Sequence, residues 1–242
     1  MTQINIGTAG WSIPRQIAER FPPDGSALER YATRFAVAEI NSSFHRPHRA
    51  STWERWRDSV PADFRFSVKV PKQITHERKL VDCAEALGTF LAEASLLREK
   101  LAVLLVQLPP KLAFDEAIVR TFFAQLASRS PAQIACEPRH PSWFDAPAGQ
   151  LLEQLRIARV AADPAVCPEA ALPGGFGQLS YWRLHGSPLM YRSSYQDRIA
   201  SYADQLNREA AAGREVWCIF DNTASSAGAG DALALMEATS GA

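Results

Sequence analysis

No stretch of this 242-residue chain is apolar for long enough to cross a membrane. The longest strongly apolar run, Leu101–Leu108, falls far short of the about 20 residues that a spanning helix needs. Excess charge of either sign is also missing: Lys+Arg and Asp+Glu both number 26, which argues against nucleic acid or an anionic membrane as the main partner. The start, MTQINIGTAGW, has no basic, apolar, cleavable leader, so a cytoplasmic protein is expected. Cysteine is sparse. Cys83, Cys136, Cys167 and Cys218 form no C-x-x-C pair and read as free thiols, not disulfides or a zinc site. There is no G-x-G-x-x-G turn after the first strand, where Gly7-Thr-Ala-Gly10 stands instead. There is no G-x-S-x-G elbow either, so Ser142 and Cys167 read as structural.

What is present is a regular alternation. β-like runs occur near 4–8, 36–41, 64–70, 102–108, 133–137, 158–163, 179–185 and 216–221. Helical patterns lie between them, near 26–35, 50–58, 83–99, 115–128, 149–156, 198–212 and 225–238. Eight strands alternating with helices at this length predict a (β/α)8 TIM-barrel-like fold in one domain, residues 1–242, with a doubly wound open sheet as the rival.

Polar residues gather at the C-terminal ends of these strands. Residues two apart on a strand share a face. That parity groups Glu39 with Asn41, Ser67 with Lys69, Leu105 with Gln107, Glu137 with Arg139, Arg183 with His185, and Ile219 with Asp221. The alternate positions, Ala38, Ile40, Phe66, Val68, Val106, Leu184 and Phe220, are apolar and suit the helix-facing side. The polar set should therefore face the barrel axis at the end where barrel enzymes place catalytic groups. Burying so many charges costs several kcal/mol per ion unless they are paired or used. Parity turns His140 away from Glu137, so it should brace its loop. His45 and His48 read as loop residues, and Trp11, Trp53, Trp143 and Trp182 as packing.

The chain resembles the YecE-like family, domain of unknown function seventy-two, over nearly its whole length. The matching stretches include IGTAGWS (6–12), EINSSFHRP (39–47), FRFSVKVPKQITH (64–76), LLVQLPPKLAFD (104–115), CEPRHPSWF (136–144), RVAADPA (159–165), WRLHG (182–186) and IFDNTASSAGAGDALAL (219–235). The resemblance implies a TIM-barrel-like fold, distantly similar to the endonuclease IV and xylose isomerase group, and does not imply an activity. Two positions depart from the family pattern: His45 stands where a Tyr is expected, and Asp221-Asn222 where many members have paired asparagines.

Three functions follow. The first is an enzyme using acid-base chemistry on a small anionic substrate, phosphorylated or carboxylated. Glu137, Glu39, His185 and Asp221 would be catalytic, with Lys69, Arg139, Arg183, Asn41, His76, Gln107 and Tyr191 facing the substrate. No cofactor is predicted for it. The second is a metal-dependent phosphodiesterase, with a divalent metal held by ligands drawn from Glu39, His76, Glu137, Asp163, His185 and Asp221. Lys69 and Arg183 would repel that cation, which ranks it below the first. The third is a non-catalytic binding module. Residues 45–79 carry nine Lys/Arg against four Asp/Glu with Trp53 and Trp56 interleaved, a pattern able to track a single strand. A solvated amphipathic helix explains the same residues and is favoured at zero net charge.

Overall fold

The computed structural model describes residues 4–240. The reading of the first residues as leaderless includes residues 1–3, which lie outside that range. The strands are β1 (Ile4–Thr8), β2 (Val37–Ile40), β3 (Arg65–Lys69), β4 (Leu101–Gln107), β5 (Gln133–Glu137), β6 (Ile157–Arg159), β7 (Ala161–Asp163), β8 (Gly174–Gly175), β9 (Leu179–Leu184) and β10 (Glu215–Phe220). They form two arcs, β2-β3-β4-β5-β6-β8 and β1-β10-β9-β7, parallel throughout except for the short β8.

The arcs are joined at both edges. The run expected as one strand over 158–163 breaks at Val160, so β6 pairs with β5 while β7 pairs with β9. Val160 N still donates to Cys136 O at 2.9 Å, which keeps the two halves in one wall. At the opposite edge β1 meets β2 through an Ala9–Glu39 bridge, with Gly10 N donating to Glu39 O at 2.8 Å. Gly7 permits this approach, because a Cβ there would collide with the Val37 carbonyl. The strand order is thus TIM-barrel-like, although the ladder is not continuous around the ring. Sequence reading missed β8, whose two glycines carry no strand signal.

Among the described residues seven α-helices cover the outside: α1 (Ala27–Ala32), α2 (Ala50–Asp58), α3 (Ala84–Ala94), α4 (Glu116–Arg129), α5 (Ala146–Gln154), α6 (Ile199–Ala211) and α7 (Gly228–Ser240). Local chemistry sets several ends. Ser26 and Glu29 form a reciprocal capping box on α1, and Asp115 Oδ1 accepts from Ile118 N at 3.0 Å at the start of α4. The helix expected over 83–99 stops at Ala94 and tightens into a 3₁₀ stretch, Ser95–Lys100, in which Arg98 has φ 53°. None of the described helices is long and apolar enough to cross a membrane.

The period-2 pattern separates two apolar layers. Ala38, Ile40, Phe66, Val68, Leu104, Val106, Leu184 and Phe220 pack outward against helix residues such as Leu87, Phe122 and Leu206. Val37, Val103, Leu105, Ala135, Tyr181, Trp217 and Ile219 face the axis, where Tyr181 and Trp217 stack with ring centres 6.0 Å apart. Most axial rows are apolar in mid-strand, although Ser67 is not and Gln133 and Glu215 open their rows with polar groups; what the site draws on is the C-terminal end of each row. There it turns polar, and that change builds the site.

Candidate active site

Arg183, near the end of β9, is the hub. Its guanidinium grips Glu39 with two bonds, Nη2 to Oε1 at 2.6 Å and Nε to Oε2 at 3.1 Å. Nη1 donates to Glu137 Oε2 at 2.7 Å, and Nη2 donates to Asp221 Oδ2 at 3.0 Å. All four side chains are nearly or fully buried. One cation thus holds carboxylates from three strand ends, a use that suits the planar, always-charged Arg fork. Tyr181, one turn of the pleat below, donates to Glu39 Oε2 at 2.9 Å and lies 2.8 Å from Ser67 Oγ. Parity along β9 could have found Tyr181, which shares the face of Arg183 and His185. Its apolar ring drew it into the core instead.

His185 is the second hub. Its Nδ1 lies 3.0 Å from Asp221 Oδ2, and its Nε2 lies 2.9 Å from both Glu137 Oε1 and Arg139 Nη2. Arg139 also pairs with Glu137 Oε1. Gly186 follows with φ +94°, turning the chain sharply away from the imidazole. A Cβ at Gly186 would lie 2.9 Å from Leu189 O, so a side chain there is excluded on two counts.

These contacts set the ionisation of the group. Burial alone would raise the Glu137 carboxyl, but Arg139, Arg183 and His185 hold it well below the usual range. Asp221 is lowered in the same way, Arg183, His185 and Lys69 together outweighing its burial. Arg183, which burial would destabilise, is driven well up by Glu39, Glu137 and Asp221. Burial and the Glu39 charge push the Tyr181 phenol well up.

Around this network stand the other expected residues. Asn41 Nδ2 donates to Asp221 Oδ1 at 3.4 Å, whereas its buried Oδ1 has no hydrogen-bond partner, and neither has the buried Arg139 Nε. Lys69 places Nζ 4.2 Å from the centre of the Phe44 ring. Its pKa is lowered by burial and by the Arg183 charge. Tyr191, at φ 64°, donates its backbone N–H to His185 O and sets its ring edge-on to the imidazole at 5.9 Å.

Three expected residues do not join the network. Gln107 donates Nε2 to Leu108 O at 3.0 Å. His76 Nδ1 lies 2.9 Å from Thr75 Oγ1, and its ring lies 5.0 Å from Phe44. Asp163 turns outward to Arg198 Nη1 and Tyr202 OH, each at 2.6 Å. His140 braces its loop as parity suggests, its Nδ1 accepting from Ser142 N at 3.3 Å. Ser142 Oγ in turn accepts from Phe114 N at 2.8 Å. A cavity of about 620 Å³ between Gln133 and Glu215, and a groove of about 510 Å³ between Phe44 and Glu93, include none of the network residues. The network is a buried layer, beside which Asn41, Lys69 and Arg139 are partly exposed and Tyr191 is exposed.

The residues present do not suit a divalent cation. Arg183 occupies the centre of the three carboxylates, where a metal would need to sit. Among the described residues no three His, Cys, Asp or Glu side chains are placed to hold a metal ion. The stacking platforms of the binding-module reading are also spoken for. Trp53 is fully buried, and Trp56 packs edge-on against Trp11 and His48.

The same layer of residues falls within a family model. Residues 5–242 match the model described as "Protein of unknown function DUF72". The chain belongs to the DUF72 family. It is 28% identical to UPF0759 protein YecE of Escherichia coli K12 over 141 residues, which is 58% of this chain and 50% of that one. It is 29% identical to UPF0759 protein YunF of Bacillus subtilis 168 over 155 residues, 60% of this chain and 53% of the relative. The matched region thus spans about half the length of these curated relatives. Among solved structures, a DUF72 family protein from Enterococcus faecalis V583 superposes with TM-score 0.82 at 20% identity, covering 98% of this chain and 96% of that one. One from Thermotoga maritima MSB8 gives TM-score 0.79 at 21% identity, over 97% and 98%. These likenesses establish the fold that the DUF72 chain shares.

Proposed function

We propose that this DUF72 chain is an enzyme that moves protons on a small anionic substrate, carboxylated or phosphorylated, at the C-terminal mouth of the strands. The observation that carries this reading is the double placement of His185 Nε2, 2.9 Å from a carboxylate oxygen and 2.9 Å from a guanidinium nitrogen. With Nδ1–H directed to Asp221, a protonated Nε2 donates to Glu137 and an unprotonated one accepts from Arg139. The ring can gain or lose a proton without moving, which is what a general acid-base group requires. Asp221 fixes the tautomer, as a carboxylate behind a catalytic imidazole does.

Arg139 and Lys69 would face the substrate anion, Arg139 offering its unpartnered Nε. Arg183 is a positioning residue whose bonds are spent on Glu39, Glu137 and Asp221. Metal-assisted hydrolysis is not favoured, because Arg183 already neutralises the ligands it would need. The cytoplasm is the proposed setting, with four free cysteines as its support.

A thermal-shift series with inorganic phosphate, malonate, citrate and sugar phosphates tests the reading. A ligand at a hundred times its Kd adds about 2.7 kcal/mol of apparent stability. At least one anion should raise the Tm, and Arg139→Ala should abolish that response while the protein stays folded. A flat response across the series, or a response that Arg139→Ala leaves intact, would refute it.

A further inference from the structure

Of the five lysines in the chain, Lys69 alone combines shelter with an unclaimed amino group. Lys72, Lys79 and Lys111 are exposed. Lys100 is buried, but its Nζ donates to Arg57 O at 2.6 Å and Val60 O at 2.7 Å, so it is a strut. Lys69 is half-buried at the end of β3, on the axial face above Ser67. Among the described residues its Nζ has no carboxylate within ion-pair distance and no hydrogen-bond acceptor, and its one close partner is the Phe44 ring. Three carboxylates stand in the same mouth, yet Arg183 and Arg139 hold every oxygen of the three except Asp221 Oδ1, to which Asn41 Nδ2 donates at 3.4 Å.

We propose that Lys69 is an amine nucleophile that captures the carbonyl carbon of the substrate as a Schiff base. This rests on the anionic-substrate reading and narrows it to a small aldehyde or ketone bearing a carboxylate or phosphate. A lysine desolvated beside another cation is the usual setting for such chemistry, because the free amine is the attacking form. Burial and the Arg183 charge both act on Lys69 in that direction.

The step balances without an outside oxidant. The Nζ lone pair forms the N–C bond while the C=O π pair moves to oxygen, and a proton passes from nitrogen to that oxygen to give the carbinolamine. The oxygen then takes one further proton, for which His185 is the donor, and leaves as water as the nitrogen lone pair closes C=N. Amine, carbonyl and one proton thus become an iminium ion and water. The iminium cation lies beside the Phe44 ring, which tolerates it through its π face. Glu137, Glu39 and Asp221 supply the compensating charge.

The test uses the full chain, glyoxylate as an aldehyde that carries a carboxylate, and sodium borohydride to fix any imine, followed by peptide mass mapping. Lys69 should acquire the reduced adduct at least about tenfold faster than Lys72, Lys79 or Lys111. Lys69→Arg should remove that fast adduct and leave slow labelling elsewhere unchanged. Labelling of Lys69 no faster than that of the exposed lysines overturns the proposal, and the wild-type protein alone decides this. Malonate separates the two readings. If Lys69 is labelled fast but neither malonate nor Arg139→Ala changes the rate, the nucleophile stands and the anion reading falls. If labelling is unselective while an anion still raises the Tm through Arg139, the nucleophile falls and the anion reading stands.

Discussion

Two buried carboxylate networks occupy the same end of this molecule, and they are built in opposite ways. Asp231, in the first turn of α7, accepts from Ser194 Oγ at 2.6 Å and Gln196 Nε2 at 2.9 Å on one oxygen. On the other it accepts from Tyr195 N at 2.9 Å and Asn222 Nδ2 at 2.7 Å. Every donor is a neutral group, so the carboxylate ties the loop after β9 to α7 through fixed bonds. At the mouth, Glu39, Glu137 and Asp221 are held by arginines and an imidazole. His185 Nε2 has two competing partners there, and Asn41 Oδ1 and Arg139 Nε have none. Both Asp231 oxygens are satisfied by fixed donors, although Asn222 Oδ1 beside them, like Asn41 Oδ1 and Arg139 Nε at the mouth, has no partner. The mouth carries excess titratable capacity.

The sharpest way to break the comparison is Arg183→Met, which removes the single cation from among three buried acids. Breaking a buried pair on one side costs about 3–5 kcal/mol, and here three pairs share the residue. Urea unfolding should show a loss at the upper end of that range, and a loss under 1 kcal/mol would mean the three acids are not bound to one centre.

The acid limb of stability comes next. Glu137 and Asp221 have folded pKa values below their ordinary ones. Between the folded and unfolded values the unfolded chain binds more protons, so stability rises with pH there. The contribution is present above the ordinary carboxylate range, about pH 4, and is lost as pH falls through the lowered values. In Arg139→Ala the limb should move to higher pH, because Glu137 loses the cation that lowers it most. An unchanged limb would show that Arg139 does not hold Glu137 ionised.

Asp231→Asn should cost less, about 1–3 kcal/mol. It sets an amide N–H2 against donors that already point inward, and leaves some of them unpaired. Its effect should be confined to stability, with the response to malonate unchanged. An altered anion response would make the two networks one.

Why the mouth was legible and the strut was not follows from periodicity. Glu39, Glu137, Arg183, His185 and Asp221 stand at or just beyond the C-terminal ends of short, largely apolar strands, so parity alone sends them to the axis. Arg139 lies beyond the end of β5, yet its guanidinium still reaches Glu137 and His185, as parity expects. Asp231 sits in a helix whose residues are small and apolar on most sides, where a 3.6-residue period does not single out one acid. Phe44 lies in a three-residue 3₁₀ turn and His76 in a five-residue π turn, both too short to show a period. The break at Val160 left no mark either, since an Ala-rich run, Ala158–Ala162, reads the same whole or divided.

The smallest expected effect is the most discriminating. Lys69→Met removes a cation from the mouth but breaks no ion pair among the described residues, so the change in stability at pH 7 should stay within about 1 kcal/mol. Its sign carries the information. The folded pKa of Lys69 lies below its ordinary value, so near and above the folded value the unfolded chain holds more protons on this lysine. The wild type should therefore gain stability as pH rises through the lowered value towards about 10.4, and Lys69→Met should lack that gain. At pH 7 the variant should be equal to or slightly more stable than the wild type, because it no longer places a charge where burial and Arg183 oppose one. A clear loss of stability at pH 7, or the same alkaline gain in both proteins, would make Lys69 a strut of the Lys100 kind. The contrast between held and unclaimed groups would then fail at the residue on which the Schiff-base proposal depends.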